Sequence, residues 1–380
     1  MRIFSCVAAV LAGAALLFPC SLHAEAGVTD KEILLGQSAP LSGSFAELGK
    51  AYRAGAELYF DHVNLKGGVA GRKLKLIVRD DGYKPDLALA NAKALIAEQR
   101  VFALTHFMFT GVVKATLPLA AEAKIPFFAP YTGADELYAD PGRYLFLLRA
   151  SFGDEMSAIV RYATTIGLDR IALVRYNSSA GQALLQDTQE RFAAHRRKLT
   201  AVGTMELNSA RPAGAVAAIA AERPQAVILG VSGADAVAFI RAFELAGPRP
   251  IYLARSLVSS HQLVADLGPL SEGVVVTQLV PSPFRRTLPI VKEYRTLLAA
   301  RGGTSVPSFV EFEGFIAARV LVEGLRRAGR DLTRERFVAA IESLSEHDVG
   351  GFTVSFGANN HVGSRYVELS MISANGRFSQ

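Results

Sequence analysis

The chain alternates short β-rich apolar runs with longer segments of helical periodicity, and this alternation constrains its fold more than any other feature. The predicted strands of the first half are Ile33 to Gly36, Leu74 to Val78, Val101 to Thr105 and Ile125 to Ala129, and a helical pattern follows each of the first three. Strands separated by helices form parallel βαβ units, because parallel neighbours need a long crossover connection. The sequence therefore predicts an α/β fold whose parallel sheets are flanked by helices.

The same pattern restarts in the second half of the chain. Further strands are predicted at Ile171 to Val174, Leu199 to Met205, Ala226 to Leu229 and Pro250 to Ala254, again with helical segments between them. A length of 380 residues suits two domains of ordinary size. We therefore expect two similar α/β lobes rather than one large sheet.

The two halves are joined by segments that resemble strands, with no linker rich in Pro, Gly or Ser between them. These joins lie near Tyr144, Val275 and Gly351. Three extended crossings between two sheets form a hinge. The predicted division assigns residues 27–143 and 276–350 to the first lobe and residues 144–275 and 351–380 to the second.

The C-terminal third combines helices with two closing strands. Helical patterns cover Pro289 to Arg301, Phe309 to Ala328 and Thr333 to Leu344, and strands are predicted at Phe352 to Phe356 and Tyr366 to Ile372. Two strands are too few for a domain of their own. We expect both to be added to the existing sheets.

The first 26 residues have the pattern of a secretory signal peptide. Arg2 precedes an apolar core from Val7 to Phe18, which is too short to span a bilayer, and small residues follow. Both cysteines, Cys6 and Cys20, lie in this segment, so the mature chain is expected to contain no disulfide and no thiolate. We expect an exported protein whose signal peptide is removed. The alternative is a lipoprotein anchored through Cys20, although the residues before it do not suit lipoprotein cleavage.

Composition excludes several broad classes of protein. Half of the residues (50%) are hydrophobic, which is too many for a disordered chain, and the glycines lack the collagen period. The net charge is +6, but the basic residues are spread along the chain rather than gathered in a stripe. We therefore do not expect a nucleic-acid partner.

The sequence contains no recognisable catalytic, cofactor or metal motif. The stretch from Gly36 to Gly43, between the first strand and its helix, lacks the glycine pattern of dinucleotide-binding folds. The histidines of the mature chain are isolated from one another, and only His106 follows a strand. Ser256 and His261 lie five residues apart but match no hydrolase motif. We expect a protein that is not an enzyme and needs no cofactor or metal.

The loops after the predicted strands carry hydroxyl groups, glycines and aromatic side chains. At this edge of a parallel sheet each strand opens onto a helix N-terminus, whose free N–H groups suit carboxylates. Each Ser or Thr has an alternative role as a helix N-cap, but apolar residues in loops indicate a protected wall. Together the loops predict a binding cleft without a nucleophile or base. Its candidate residues are Ser42, Gly43, Phe107, Thr110, Gly111, Tyr131, Thr132, Gly133, Ser179, Ala180, Ser232, Gly233, Arg255 and Ser256.

Several segments, taken in their order and spacing, resemble the type I periplasmic substrate-binding proteins of ABC importers, the group that includes the leucine/isoleucine/valine-binding proteins. The resemblance covers essentially the whole mature chain. It implies a two-lobed clamshell, with three hinge strands, that closes over one small molecule in the periplasm. It also implies ABC permease subunits as membrane partners and a monomeric receptor. The segments that carry it are Ile33 to Gly43, Ala54 to Phe60, Asn64 to Gly71, Val78 to Asp81, Lys124 to Pro126 with Pro130, and Gly314 to Ala318.

The resemblance also implies roles for single residues. Thr110 occupies the position of the hydroxyl that receives the ligand carboxylate, and the loop with Tyr131, Thr132 and Gly133 is the second contact from the first lobe. Leu48 lies where branched-chain amino-acid binders carry an aromatic side chain.

In the second lobe the sequence departs from the pattern of the family. Ala180 and the pair Ser232-Gly233 replace aromatic walls, and Arg255-Ser256 stands where an acidic residue would pair with the ligand ammonium. Burying an ammonium without an anionic partner costs several kcal/mol.

These departures favour an organic acid, aromatic or branched, whose carboxylate binds at Thr110 or at Arg255. In the alternative, Arg255 points to solvent and another carboxylate, such as Asp235, contacts the ammonium of an amino acid. The predicted function is a solute-binding receptor of an ABC importer for a small amino acid or organic acid. The alternative function is a ligand sensor coupled to a signalling partner instead of a permease.

Overall fold

The computed structural model describes residues 25–258, 260–302, 306–374, 376 and 378–379. Both cysteines and nearly all of the predicted signal peptide lie outside the described residues. Within the described residues, no helix is long and apolar enough to cross a membrane.

The first lobe is built on a five-stranded parallel sheet. Its strand order is β2-β1-β3-β4-β5, and each strand lies beside its neighbour in parallel register. Helices on both faces cover the centre of the sheet, where the strand residues are mostly buried, whereas the edge strand over residues 73–80 carries Lys73, Lys75, Arg79 and Asp80 outside the core. The strands are β1 (Glu32–Ala39), β2 (Lys73–Asp80), β3 (Ala103–Thr105), β4 (Phe127–Phe128) and β5 (Leu145–Phe146), and the intervening helices are α1 (Ala46–Leu65), α2 (Pro85–Ala97), α3 (Thr110–Glu122) and α4 (Asp135–Ala139).

The second lobe repeats this arrangement and extends it. Five parallel strands in the order β7-β6-β8-β9-β10 are followed by the antiparallel strands β13 (Glu368–Ile372) and β14 (Phe378–Ser379). The parallel strands are β6 (Ile171–Tyr176), β7 (Ala201–Met205), β8 (Ala226–Gly230), β9 (Ile251–Ala254) and β10 (Val275–Gln278), and the helices are α5 (Phe152–Thr165), α6 (Ser179–Ala194), α7 (Ala213–Ala220), α8 (Gly233–Phe243) and α9 (Ser260–Leu267).

The remaining helices return to the first lobe. They are α10 (Pro289–Arg301), α11 (Phe309–Ala328) and α12 (Arg334–Glu342). Helix α11 is buried along nearly its whole length and packs along α1. Its apolar residues belong to the largest apolar cluster of the described residues, while Arg319 and Glu323 on the same helix form partly exposed ion pairs.

The alternation of strands and helices in the sequence is confirmed, and the α/β fold with it. The five parallel strands follow the same order in both sheets, so the two halves are similar as expected. The expectation that both closing strands join the large sheets is correct only for β13. The region around Phe352 instead forms a two-stranded sheet in which β12 (Thr353–Val354) pairs with β11 (His347–Asp348).

Strand pairing also moves the boundaries between the lobes from their predicted positions. Strand β5 still pairs in the first sheet, and β10 pairs in the second. The chain after residue 350 stays with the first lobe, because Phe352 and Phe356 are buried in its core and Val362 bridges to Leu147. The third crossing therefore lies between Val362 and β13 instead of near Gly351.

Candidate ligand-binding cleft

A cavity of about 550 Å³ lies between the carboxyl edges of the two sheets. Its volume falls in the range of small-molecule sites. Its walls are mainly apolar, with hydroxyl and amide groups from both lobes. The lining residues are Phe45, Tyr83, Phe109, Thr110, Gly111, Lys114, Tyr131 and Glu136 from the first lobe, and Phe152, Tyr176, Ser178–Gly181, Ala183, Leu184, Leu207, Leu229–Ser232, Arg255, Leu257 and Val258 from the second.

Three aromatic rings form one wall of the cavity in the first lobe. The ring centroid of Phe45 lies 4.6 Å from that of Tyr83 and 4.8 Å from that of Phe109, and the Tyr83 and Phe109 centroids are 4.8 Å apart. The backbone of Phe109 has φ 70°, an unusual conformation for a bulky residue, at the turn between β3 and α3. This turn places the Phe109 ring against the cavity.

Thr110 lies at the N-terminus of α3, where the first amides of the helix have no partner within the helix. Its hydroxyl oxygen is 2.9 Å from that of Thr132, which in turn accepts a hydrogen bond from the Ala134 amide at 3.3 Å. Thr132 is fully buried, so it supports Thr110 from behind and does not line the cavity. The helix end and the Thr110 hydroxyl together suit an anionic or strongly polar group.

The opposing wall comes from the loops after β6 and β8. Ser178 caps α6 by accepting a hydrogen bond from the Gly181 amide at 3.1 Å, and this turn places Ser179 and Ala180 at the cavity. Small side chains here leave the space that a larger wall residue would fill. The Ser232 amide donates to the Tyr176 hydroxyl at 3.1 Å, which fixes the second loop.

Three charged side chains line the cavity, and two of them pair with each other. Lys114 and Glu136 form an ion pair of 3.1 Å at the rim, where both side chains are more than half exposed. The third is Arg255, which follows β9. Its guanidinium carbon lies 4.6 Å from the centroid of the Phe152 ring, and it makes no hydrogen bond or ion pair with the described residues.

Arg255 is therefore an unpaired cation directed at an apolar cavity. Burial lowers the pKa of Arg255, and the nearby Glu155 raises it in part. An arginine nevertheless keeps its charge in a protein. Arg255 is partly buried, and a charge that loses part of its hydration is stabilised by a partner, so this guanidinium provides a site for an anionic group.

A second arginine, Arg149, lies below the cavity and is almost completely buried. Its guanidinium carbon lies 3.7 Å from the centroid of the Tyr131 ring, and its Nε is 3.3 Å from Oε1 of Glu313 on α11. Its Nη2 donates a hydrogen bond of 2.7 Å to the Ser256 hydroxyl. Burial by itself lowers the pKa of Arg149, but Glu313, Tyr131, Glu155 and Tyr138 together outweigh burial, so the pKa is raised.

Two buried carboxylates balance this arginine. Glu155 on α5 accepts a hydrogen bond of 2.7 Å from the Ser256 amide and another from the Thr277 hydroxyl. Burial raises the pKa of Glu313 to about 7, with Arg149 lowering it and Glu155 raising it. The Glu313 carboxylate, but not Arg149, therefore changes its charge near neutral pH.

The structure brings together seven of the fifteen candidate residues at the cavity wall. These are Thr110, Gly111, Tyr131, Ser179, Ala180, Ser232 and Arg255. Leu48 and Gly233 line a smaller neighbouring pocket of about 80 Å³ that shares Phe45, Leu257 and Val258 with the cavity. The ligand-binding role of all these residues stays a prediction.

The other candidates lie outside the cavity. Phe107 is fully buried and packs on Phe127, while Ser42 and Gly43 are exposed. Gly133 is packed so closely that a Cβ there would lie 2.6 Å from the Phe152 ring. Thr132 supports Thr110 from behind, and Ser256 binds Arg149.

Asp235, the carboxylate considered for a ligand ammonium, is already occupied. It accepts hydrogen bonds from the Tyr176 hydroxyl and from two backbone amides, away from the cavity wall.

Sequence reasoning missed three of the aromatic wall residues and the buried charges. Phe45, Tyr83 and Phe152 each lie at or beside a helix start, outside the loop residues that the sequence analysis named. In the sequence, Arg149 and Glu313 look like ordinary charged residues of a strand and a helix. A charged residue inside an otherwise apolar run, as Glu313 is in Phe312–Ala318, was the available signal.

His106 lies in the core of the first lobe, away from the cavity. His106 is fully buried, with Nδ1 2.7 Å from the Thr105 hydroxyl and Nε2 3.1 Å from the Gly314 carbonyl oxygen, and it does not reach the cavity. Burial lowers the pKa of His106 to about 4. No cluster of His, Cys, Asp or Glu among the described residues could hold a metal ion.

Two similar lobes that enclose one cavity, with several crossings between them, define a two-lobed solute receptor. A family model for periplasmic binding proteins matches residues 32–377. The chain belongs to the periplasmic binding protein family, whose members bind solutes and are not enzymes. Membership implies a periplasmic location and a small-molecule ligand.

Solved structures of the same fold are similar over nearly the whole chain. A substrate-binding periplasmic protein from Ralstonia solanacearum is 33% identical with a TM-score of 0.84, over 91% of this chain and 99% of that one. A possible leucine/isoleucine/valine-binding protein from Rhodopirellula baltica is 29% identical with a TM-score of 0.86, over 92% and 97%. A fatty acid ABC transporter substrate-binding protein from Thermomonospora curvata is 25% identical with a TM-score of 0.80, over 92% and 91%.

Proposed function

We propose that this protein captures a small monocarboxylic acid with an apolar body between its lobes and delivers it to an ABC permease in the membrane. The observation that carries the proposal is the unpaired guanidinium of Arg255 at an apolar cavity. The ligand carboxylate neutralises this charge, and its apolar body occupies the space beside the aromatic wall.

The charges around the cavity support an acid over an amino acid. Lys114 and Glu136 neutralise each other at the rim, which leaves the single positive charge of Arg255. The remaining carboxylate proposed for an ammonium, Asp235, is held by three hydrogen bonds elsewhere. A zwitterion would therefore place its ammonium against a wall that offers no free carboxylate among the described residues, at a cost of several kcal/mol.

The size of the cavity supports a bulky ligand. At about 30 Å³ for each water in the liquid, a cavity of about 550 Å³ corresponds to roughly 18 waters. This is about twice the number of non-hydrogen atoms in leucine. Aromatic side chains along the wall suit an aromatic or branched apolar body, since rings pack edge-to-face or offset against one another.

Two relatives support the carboxylate and the transport role. One structural neighbour is described as a fatty acid ABC transporter substrate-binding protein, and fatty acids carry a carboxylate without an ammonium. Another is described as a possible leucine/isoleucine/valine-binding protein. We infer that this chain shares the carboxylate chemistry common to both ligands and the delivery to a permease.

Matched sets of ligands test the proposal by calorimetry on residues 27–380. Each set keeps one apolar body and changes its polar end, for example phenylacetate, phenylalanine and phenylacetamide, or 4-methylpentanoate, leucine and 4-methylpentanamide. We expect the acids to bind more tightly than the amino acids and the amides. Tighter binding of the amino acid in every set would show that the ammonium pocket exists and the proposal is wrong.

Two variants locate the carboxylate. Arg255→Gln is expected to weaken binding of the best acid by about tenfold to a hundredfold, because a hydrogen bond to a charged group contributes about 1.5–3 kcal/mol. Lys114→Gln is the matched control, since its exposed ion pair contributes little. If Thr110→Val weakens binding and Arg255→Gln does not, the carboxylate binds at the start of α3 instead.

Uptake by cells tests the transport role separately. Cells that lack this protein should lose uptake of the labelled acid, and the wild-type chain should restore it while Arg255→Gln restores little. Normal uptake in cells without this protein would show that the transport role is wrong, while the proposed binding site would still stand.

A further inference from the structure

Arg149 is attached to the first lobe at three points. Its guanidinium lies over the Tyr131 ring and beside the Glu313 carboxylate. Its backbone carbonyl accepts a hydrogen bond of 2.9 Å from the hydroxyl of Tyr138 on α4. Since Tyr131, Glu313 and Tyr138 all belong to the first lobe, Arg149 moves with that lobe when the hinge opens.

From this position Arg149 reaches across to the second lobe. The guanidinium makes one hydrogen bond to the described residues, from Nη2 to the Ser256 hydroxyl at 2.7 Å, and its Nε and Nη1 have none. Ser256 is itself held in the second lobe, because its amide donates to Glu155, which also accepts from Thr277 on β10. The bond between Arg149 and Ser256 is therefore a direct link between the lobes.

The loop that contains Ser256 also carries the proposed ligand contact. Arg255 lines the cavity, and Leu257 packs against the apolar cluster of the first lobe that includes Leu48 and Phe109. Three successive residues thus contact the ligand cavity, the buried arginine and the surface of the first lobe. The loop from Arg255 to Val258 is therefore one of the places where the second lobe contacts the first.

We propose that Arg149 is a positioning residue for the ligand site, acting through Ser256. It holds the loop in the arrangement that directs the Arg255 guanidinium into the cavity, and it does so only when the lobes are close together. Ligand binding at Arg255 and closure of the lobes therefore support each other through one hydrogen bond. The inference rests on the proposed function for the choice of ligand, but the link between the lobes does not depend on it.

The physical basis is that the two states of the hinge differ in contacts. When the lobes separate, Ser256 moves away from Arg149 and the guanidinium loses its one hydrogen bond to the described protein, although it stays buried beside Glu313. A bond with a charged donor is about twice as strong as a neutral one. A ligand shifts a conformational equilibrium only by its difference in affinity for the two states, and Arg255 provides that difference when its loop is in place.

A double-mutant cycle separates positioning from simple packing. Ser256→Ala removes the acceptor of Arg149 and leaves the backbone bond to Glu155 intact. We expect Ser256→Ala to weaken binding of the best acid about tenfold in the wild-type chain. In the Arg255→Gln background the same change should cost less than about twofold, because Ser256 acts through Arg255. Equal losses in both backgrounds, or no loss in the wild-type chain, overturn the proposal.

The distance between the lobes gives a second measurement that needs no ligand. The mature chain has no cysteine, so spin labels can be attached at Asp86→Cys and Gln182→Cys, which are exposed and lie on opposite lobes beside the cavity. We expect Ser256→Ala to lengthen or broaden the distance distribution of the ligand-free protein. Identical distributions would show that Arg149 and Ser256 do not hold the lobes together.

The two measurements keep the proposals distinguishable. If no acid binds, the proposed ligand class fails, while the ligand-free distances still decide the role of Arg149. If acids bind as expected but Ser256→Ala changes neither affinity nor distance, the ligand class stands and the positioning role is wrong.

Discussion

At the scale of single residues, a cluster of three buried charges lies at the junction of the lobes. Arg149, Glu313 and Glu155 are all nearly inaccessible to solvent. A buried ion pair is weak evidence for stability, because desolvation offsets the attraction, but removing one partner leaves an uncompensated charge. We therefore expect these residues to determine the response to pH and to lobe arrangement more than the overall stability.

The stability of the fold should depend on Glu313 with a definite sign. The pKa of Glu313 is about 7 in the folded chain and near 4.5 in the unfolded chain, so the folded state binds more protons between these values. The contribution of Glu313 to the free energy of unfolding therefore rises as pH falls from about 7 to 4.5, by at most roughly 1.4 kcal/mol per pH unit. Arg149 and Glu155 are the charged groups that face it, and the buried Tyr52 and Tyr131 stay neutral.

His106 changes the free energy of unfolding with pH in the opposite direction, so its contribution must be separated from that of Glu313. Its folded pKa is about 4 against about 6.5, so its contribution is lost as pH falls through this window. Urea unfolding of the wild-type chain and of Glu313→Gln is measured at pH 5 and pH 7.5. Because both proteins contain His106, its contribution cancels in the difference between their free energies of unfolding. We expect the wild-type advantage to be larger at pH 5. An advantage that is equal at both values, or larger at pH 7.5, contradicts the shifted pKa.

At the scale of elements, α1 and α11 make the closest helix contact in the first lobe. A Cβ at Gly55 would lie 1.9 Å from the backbone oxygen of Glu311, and a Cβ at Gly314 would lie 2.1 Å from that of Tyr52. The two backbones thus approach through glycine at both sides of the contact. This packing fixes α11, and with it the position of Glu313 beside Arg149.

Gly55→Ala should therefore destabilise the protein by about 1–3 kcal/mol or more, because the helices must move apart to admit a methyl group. Gly214→Ala is the matched control. Gly214 lies in helix α7 with open space around its Cβ position, so alanine should be neutral or stabilise by up to about 1 kcal/mol. Denaturant unfolding measures both. A Gly55→Ala protein as stable as the wild type would show that the helices are not held at this distance.

At the scale of the whole molecule, the two lobes repeat one topology and face each other across the cavity. Their contacts at the junction run through the crossings, through Arg149 and through the loop after β9. Two rigid α/β lobes joined in this way favour hinge motion, in which the lobes keep their own structure and change their separation. The ligand contributes to closure because it contacts residues of both lobes.

Closure should be visible in solution scattering. We expect the radius of gyration of the wild-type chain to decrease when the best acid is added at about 100 times its dissociation constant, where ligand binding stabilises the fold by about 2.7 kcal/mol. Arg255→Gln at the same ligand concentration should show a smaller decrease. If the wild-type radius is unchanged although calorimetry shows full occupancy, the receptor binds without closing.

The sequence by itself determined the alternation of strands and helices, and hence which loops lie at the carboxyl edges of the two sheets. It therefore located Thr110, Tyr131 and Arg255, because each lies in the segment between a strand and the next helix, and the edge of a parallel sheet collects such residues. Local periodicity carries this information, since it records which face of each element is apolar.

Only the tertiary structure decided which distant residues meet. The contact of Arg149 with Glu313 and Ser256 joins a crossing segment, a C-terminal helix and a loop of the other lobe. The segment from Phe352 to Val362 likewise belongs to the first lobe, because Phe352 and Phe356 are buried in that core. Such pairings depend on how complete elements pack, and packing is set by the shapes of both partners, which no local pattern of one segment contains.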